Sequence, residues 1–327
     1  MTKFKVVITD YEYDTLQWEE QALAKVGANF VKCQCQTEEE LIAAIHDADA
    51  ILVQYASITR NVMAQMKKCR AIVRYGVGLD CIDVAAATDY GIMVANIPDY
   101  GLEDIADHAI GLMLNCVRRI TQLNQAVHEG KWDYKMAKPL YRLRGKTLGL
   151  AGFGNIARMV AAKAKVFGMQ VIAFDPYIDP DIAKAYQVEL VDFNTLLQSS
   201  DVLSLHVPVT EQTIHLMNKA TFTQLKDTCI LINTARGALV DEAALAYALQ
   251  TDQIAGAGLD VSEKEPIDLD NILLKLPNVI ITPHSSWYTE EAQESLQQQA
   301  AQEIVRVLSG NRPLNLANPA VLSRQDK

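Results

Sequence analysis

Two periodicities alternate along the chain. Short runs rich in β-branched residues at 5–8, 29–32, 50–53 and 71–74 are separated by helical patterns at 18–26, 38–44 and 63–68. Strands alternating with helices predict a mostly parallel sheet with covered faces, and this first series closes near residue 98. A 3.6-residue pattern then runs from about 103 to 125, with Ile105, Ala109, Leu112, Met113, Cys116, Val117, Ile120 and Leu123 on one face. It is expected to link two domains. A polar loop over 130–145 precedes a second alternating series that starts at Thr147, and a last helix over about 290–308 is stopped by Ser309-Gly310.

Composition narrows the choice of partner. The chain has 327 residues, half of them apolar and 21% charged, enough to bury the cores of two ordinary domains. The formal charge of -10 is spread along the sequence and disfavours attraction to nucleic acid or anionic lipid, so a small-molecule partner is expected. The N-terminal segment lacks the long apolar core of a signal peptide, and no apolar run reaches the roughly 20 residues that span a bilayer. A soluble, cytoplasmic protein is expected. The six cysteines (Cys33, Cys35, Cys69, Cys81, Cys116, Cys229) show no paired C-x-x-C spacing and are expected to be reduced thiols, with Cys33 and Cys35 on opposite faces of a strand.

The second series opens with a strand at 147–151 followed by Gly152-Phe153-Gly154-Asn155-Ile156-Ala157 at the start of a helical pattern. In that context G-x-G-x-x-A is a dinucleotide fingerprint. The first glycine permits a tight turn, the second lets backbone approach a pyrophosphate, and the small third residue lets helix and strand pack closely. Gly152, Gly154, Asn155 and Ile156 would then lie along the phosphates at a helix N-terminus. The next strand, 170–174, ends on Asp175, where a carboxylate can accept from ribose hydroxyls and repel a 2'-phosphate, so NAD is favoured over NADP. No two histidines have the i, i+4 spacing of a zinc site, and no catalytic metal is expected.

Three later strands end near polar residues: 229–233 before Thr234-Ala235-Arg236-Gly237, 255–261 before Glu265, and 279–282 before His284. In open α/β sheets the ligand crevice lies beyond the carboxyl ends of the strands, which makes these residues candidates for one reacting centre. Reduction of a 2-oxo acid needs a proton donor, an electrophile for the developing alkoxide and an anchor for the carboxylate. His284 can supply the proton, Glu265 can orient the imidazole, and Arg236 can bind carboxylate and carbonyl oxygens through its planar fork. Singly, each has a plainer explanation: Arg236 as a surface ion pair, Glu265 as a cap before Pro266, His284 as a turn histidine. His206 also closes an apolar strand and rivals His284, although its place before Val207-Pro208 favours a role in the cofactor wall.

Beyond these residues, the chain resembles the D-isomer-specific 2-hydroxyacid dehydrogenase family over nearly its whole length. The resemblance is carried by Arg74-Tyr75-Gly76-Val77-Gly78-Leu79-Asp80, Gly152-Phe153-Gly154, His206-Val207-Pro208, Asn233-Thr234-Ala235-Arg236-Gly237, Gly258-Leu259-Asp260-Val261, Glu265-Pro266 and Pro283-His284. It implies two doubly wound α/β domains, Rossmann-like or flavodoxin-like. Residues 1–98 plus 287–327 would form the substrate domain and 99–286 the NAD-binding domain, with the linking helices forming a homodimer. It further implies that Tyr75, Val77 and Gly78 meet the substrate, that Thr234 and Pro208 line the cofactor cleft, and that Ala235 and Asp260 contact the nicotinamide side. Arg236 and His284 would touch both ligands. Pro283-His284-Ser285-Ser286-Trp287-Tyr288 is closer to the corepressor-like C-terminal binding protein branch, which implies Trp287 as a wall for the substrate's side chain. The alternatives left open are phosphoglycerate dehydrogenase and an NAD(H)-sensing binding protein. Asn155 stands where relatives often carry arginine, which implies a weaker hold on the pyrophosphate.

Overall fold

The computed structural model describes residues 3–325. The chain divides into two compact units, one made of the residues up to Gly101 with those from Thr289 onward, the other Leu102–Tyr288.

In the first unit, β1 (Phe4–Ile8), β2 (Ala28–Lys32), β3 (Ala50–Val53), β4 (Ala71–Arg74) and β5 (Met93–Ala95) form one parallel sheet in the order β2-β1-β3-β4-β5. Val6, Val7 and Ile8 of β1 are all fully buried, because helices cover both faces and alternation gives way to a continuous apolar run. The chain order reverses between β1 and β3, a topological switch point. The long helix Glu290–Leu308 belongs to this unit and is tied down by Gln297, whose amide donates to Thr15 O (2.8 Å) and to the buried Glu19 carboxylate. Asn318 fixes the tail to β5: its Oδ1 accepts from Val94 N and its Nδ2 donates to Ile92 O.

Two details here depart from the sequence reading. The helix expected at 63–68 is Arg60–Ala64, because Thr59 accepts from Val62 N and starts it early. Cys33 and Cys35 do not diverge; residues two apart share a face of extended chain, and just past the end of β2 both pack against the same apolar core.

The second unit holds β6 (Thr147–Ala151), β7 (Gln170–Phe174), β8 (Glu189–Leu190), β9 (Val202–Leu205), β10 (Ile230–Asn233), β11 (Gly256–Leu259) and β12 (Val279–Ile281). All are parallel, in the order β12-β11-β10-β9-β6-β7-β8, and the chain order reverses between β6 and β9. The helix Asn155–Val166 buries Ala157, Val160, Ala161 and Ala164, a narrow stripe of small residues that lets it lie close against β6 and the helix Leu102–Arg118. Leu203, Leu205, Leu231 and Phe222 fill the opposite face. Both units are therefore doubly wound α/β sheets, the first flavodoxin-like and the second Rossmann-like in strand order.

The helix expected to run from 103 to 125 is broken in two, Leu102–Arg118 and Ile120–His128. Arg119 takes a left-handed φ of 50°, and the Asn115 side chain accepts from Thr121 N at 2.9 Å, replacing a helical partner at the break. Among the described residues no helix is long and apolar enough to cross a membrane.

Candidate active site

The glycine turn follows β6 at the switch point of the second sheet. Gly152 has a φ of +91°, and a Cβ there would stand 2.6 Å from the His206 carbonyl oxygen, so both conformation and space demand glycine. Asp175 braces the turn from the end of β7. Its Oδ2 accepts from Phe153 N (2.9 Å) and its Oδ1 from Tyr177 N (2.9 Å) and Ile178 N (3.2 Å). Gly154 is the N-cap of Asn155–Val166, no side chain caps that helix end, and a Cβ at Gly154 would meet nothing within 4 Å. Open space above uncapped helix amides is what a pyrophosphate needs, so the residues present fit a dinucleotide.

One residue escaped the sequence reading. Asn155 leaves no arginine at its own position, yet Arg158 reaches back over the same turn: its Nε donates to Gly154 O at 3.2 Å and its Nη2 to the Asn155 side chain. The guanidinium also covers the Tyr186 ring at 5.8 Å. Residues three apart share a helix face, and that spacing was the available signal. A cation therefore stands at the helix N-terminus despite Asn155.

Along the remaining strand ends, His206 follows β9 with its Nε2 2.9 Å from Ser204 Oγ. Burial pushes its pKa down to about 4, so the ring is neutral near pH 7 and poorly suited to donate a proton. Pro208 is held in place by Thr213, whose hydroxyl donates to its carbonyl at 2.7 Å. Thr234 is buried, with a hydroxyl that finds no partner among the described residues. That leaves a donor and acceptor for a ligand.

The Arg236 turn is built by Asn233 at the end of β10. Its Nδ2 donates to Arg236 O (2.8 Å) and its Oδ1 accepts from Ala235 N (3.0 Å). Arg236 donates from Nη1 to Ala235 O at 2.6 Å and engages further groups. At Gly237 a Cβ would lie 1.9 Å from Ser262 O, so glycine lets this turn press against the segment that leads to Glu265.

His284 and Glu265 meet directly, with Nδ1 2.7 Å from Oε2. Burial pushes the Glu265 carboxyl up, but the His284 hydrogen bond and charge, the Ser262 amide and Arg236 outweigh it and hold the pKa below the usual value. An ionised Glu265 accepting from Nδ1–H leaves Nε2 as the atom free to exchange a proton. His284 sits at a left-handed φ of 51°, with its N–H donating to Asp260 O at 2.8 Å. Asp260 itself is fully buried and clamps the same loop: Oδ1 accepts from Thr282 Oγ1 (2.6 Å) and Ser285 N (2.9 Å), and Oδ2 from Ser286 N (2.8 Å). Its carboxylate thus orders the backbone that carries His284. His108, one of the histidines expected only to pack or to face solvent, extends this network through Thr282 Oγ1 at 2.9 Å.

Trp287 is half-buried, edge-on to Tyr288 at 5.7 Å. In the first unit, Val77 is exposed and Gly78 half-buried after β4. Tyr75 is different. Its ring is only 2% exposed and its hydroxyl donates to Glu19 at 2.8 Å, so its side chain serves the core and only its main chain remains for a ligand.

Comparison with known proteins agrees with these features. A family model described as D-isomer specific 2-hydroxyacid dehydrogenase, NAD binding domain, matches residues 110–286. The chain is 44% identical over 86% of its length to a D-3-phosphoglycerate dehydrogenase of Methanocaldococcus jannaschii, but spans only 54% of that protein. It is 39% identical to a glyoxylate reductase of Korarchaeum cryptofilum, covering 88% of this chain and 87% of the relative. A crystal structure of D-lactate dehydrogenase from Aquifex aeolicus complexed with NAD and lactic acid superposes with a TM-score of 0.86 at 29% identity, over 96% of this chain and 99% of that one. Placement in the corepressor-like branch is finer than these matches resolve. With its fingerprint turn, its histidine–carboxylate pair and matches of this extent, the chain belongs to the D-isomer-specific 2-hydroxyacid dehydrogenase family.

Proposed function

We propose that the protein is an NAD-dependent oxidoreductase of the cytoplasm that interconverts a D-2-hydroxy acid and its 2-oxo acid, acting on the CH–OH group of the donor. The observation that carries this reading is the 2.7 Å pair of His284 and Glu265 in the same unit as the dinucleotide turn. Gly152, Gly154, Asn155, Ile156 and Arg158 hold the pyrophosphate, Asp175 the ribose, and His206, Pro208, Thr234 and Ala235 the remaining wall. When bound, NADH supplies the hydride. His284 gives its Nε2 proton to the oxygen of the forming alcohol and takes it back in the reverse direction, while Glu265 fixes the tautomer and stabilises the imidazolium. Arg236 binds the carboxylate and carbonyl oxygens. Trp287 packs against the substrate's side chain. The test is NADH oxidation against glyoxylate, pyruvate, hydroxypyruvate, phenylpyruvate and 4-methylthio-2-oxobutyrate; no turnover of any of them sinks the reading.

Asp175 is assigned the choice between cofactors. Asp175→Ala should lower the ratio of specificity constants for NADH over NADPH by about 10-fold or more, since it removes a carboxylate that repels the 2'-phosphate. An unaltered ratio contradicts the assignment.

We also propose a homodimer. Ile120, Val127, Trp132, Tyr134 and Met136 are exposed along the helix Ile120–His128 and the segment that follows it in the second unit, Trp132 by 88%. Exposed apolar residues gathered in this way mark an association surface. The start of this helix, at Thr121 and Gln122, borders a cavity of ≈ 350 Å³ also lined by Cys116, Leu140, Leu143 and Ile254. Light scattering should give twice the chain mass, with Trp132→Asp shifted toward the monomer; a wild-type monomer at micromolar concentration contradicts the proposal.

A further inference from the structure

Within the second unit, the helix Leu102–Arg118 lies directly against β11. Gly258 makes this possible, because a Cβ there would stand 3.0 Å from Leu112 Cβ and 3.2 Å from Cys116 Sγ. Leu112 and Cys116 are four residues apart on one face of the helix, and His108 is the preceding member of the same row. One turn before Leu112, His108 reaches the carboxyl ends of β11 and β12. Its Nε2 is 2.9 Å from Thr282 Oγ1 and 3.5 Å from Asp260 Oδ1. The ring is half-buried, and none of the cofactor or proton-transfer roles assigned above uses it.

Counting hydrogens fixes the direction of this contact. Thr282 has one hydroxyl hydrogen, and its best acceptor is the fully buried Asp260 carboxylate at 2.6 Å, far closer than Leu259 O at 3.4 Å. The hydroxyl oxygen is left to accept, so His108 carries a hydrogen on Nε2 and donates it to Oγ1. The chain runs from His108 Nε2–H to Thr282 Oγ1–H to Asp260 Oδ1, each bond polarising the next. It ends at the reacting loop. Asp260 O and Thr282 O both accept from His284 N, at 2.8 and 3.0 Å. The two residues joined through their side chains are thus the two whose carbonyls hold His284 at its left-handed φ of 51°. A residue with a side chain persists in that conformation only where its surroundings fix it. Loosening the tie between Thr282 and Asp260 frees the turn, and with it the 2.7 Å approach of His284 to Glu265.

Resting on the dehydrogenase reading, we infer that His108 is a positioning residue for the proton transfer, acting through Thr282 and Asp260 to hold His284 against Glu265. His108→Ala should lower kcat for reduction of glyoxylate or hydroxypyruvate by about 10- to 100-fold, the scale on which a small misplacement of a reacting group acts. NADH affinity by fluorescence titration, and the KM for the 2-oxo acid, should stay within a few-fold. His108→Gln keeps an N–H donor at similar reach and should recover most of the rate, a difference that a space-filling role would not produce. Thr282→Val removes the hydroxyl at nearly constant volume and should lower kcat in the same way. Adding His108→Ala to it should cost little more, because both substitutions cut one chain. An unchanged kcat in His108→Ala, equal losses with alanine and glutamine, or multiplied losses in the double variant overturn the inference and leave the dehydrogenase intact. A wild type that oxidises NADH with none of the 2-oxo acids overturns the dehydrogenase reading itself, and the inference falls with it.

Discussion

His284→Ala should leave a folded protein that still binds NADH but turns over 2-oxo acids about 10²- to 10⁴-fold more slowly, the usual contribution of a positioned acid–base group. The loop that carries the ring is held by other atoms. The main-chain N–H at 284 donates to Asp260 O, and the buried Asp260 carboxylate takes the amides of Ser285 and Ser286, none of which involves the imidazole. Alanine at the left-handed φ of 51° adds strain of about 1 kcal/mol at most, small beside the stability of a domain. The loss therefore belongs in kcat, with NADH affinity by fluorescence titration kept within a few-fold. His206 is poorly suited to take over, because burial pushes its pKa down to about 4 and keeps its ring in the neutral form near neutrality. Normal turnover in this variant removes His284 from the reaction.

The second large effect is at Arg236. Arg236→Ala should lower kcat by about 10²- to 10³-fold, as expected when a group that stabilises developing charge is removed, and should raise KM as well because the same guanidinium anchors the carboxylate. Lysine should restore little of this, since a point charge does not reproduce the planar fork. Asn233 and Gly237 set the turn around Arg236 through backbone contacts, so the variant keeps its local fold. Steady-state kinetics checks the split: a change in KM alone leaves Arg236 its carboxylate-binding part and removes the stabilisation of developing charge, and no change in either constant refutes both.

Much of this was legible from the sequence because local rules dominate where it was legible. The alternation of strand and helix periods fixed both parallel sheets, and the G-x-G-x-x-A turn was recognisable because backbone geometry at Gly152 admits nothing larger. Asn233 to Gly237, Glu265 and His284 were found as strand-end residues, yet the 2.7 Å contact between Glu265 and His284 depends on the packing of loops nineteen residues apart and could only be guessed. The break at Arg119 was hidden because the apolar stripe continues through it; a side-chain bond from Asn115 to Thr121 decides the matter. Tyr75 lies inside a motif expected to meet substrate, but its partner Glu19 is 56 residues away and no local pattern announces it. Arg158 was missed for the opposite reason, since attention to the position of Asn155 overlooked the next turn of the same helix.

The most direct test of the central claim is to follow the hydrogen. Hydroxypyruvate or pyruvate is reduced with NADH carrying deuterium at the transferring carbon, and the product is examined by mass and chiral chromatography. One deuterium on C2 of a D-configured 2-hydroxy acid is expected, formed by the wild type and nearly absent with His284→Ala. A product without the label, or one of L configuration, contradicts it.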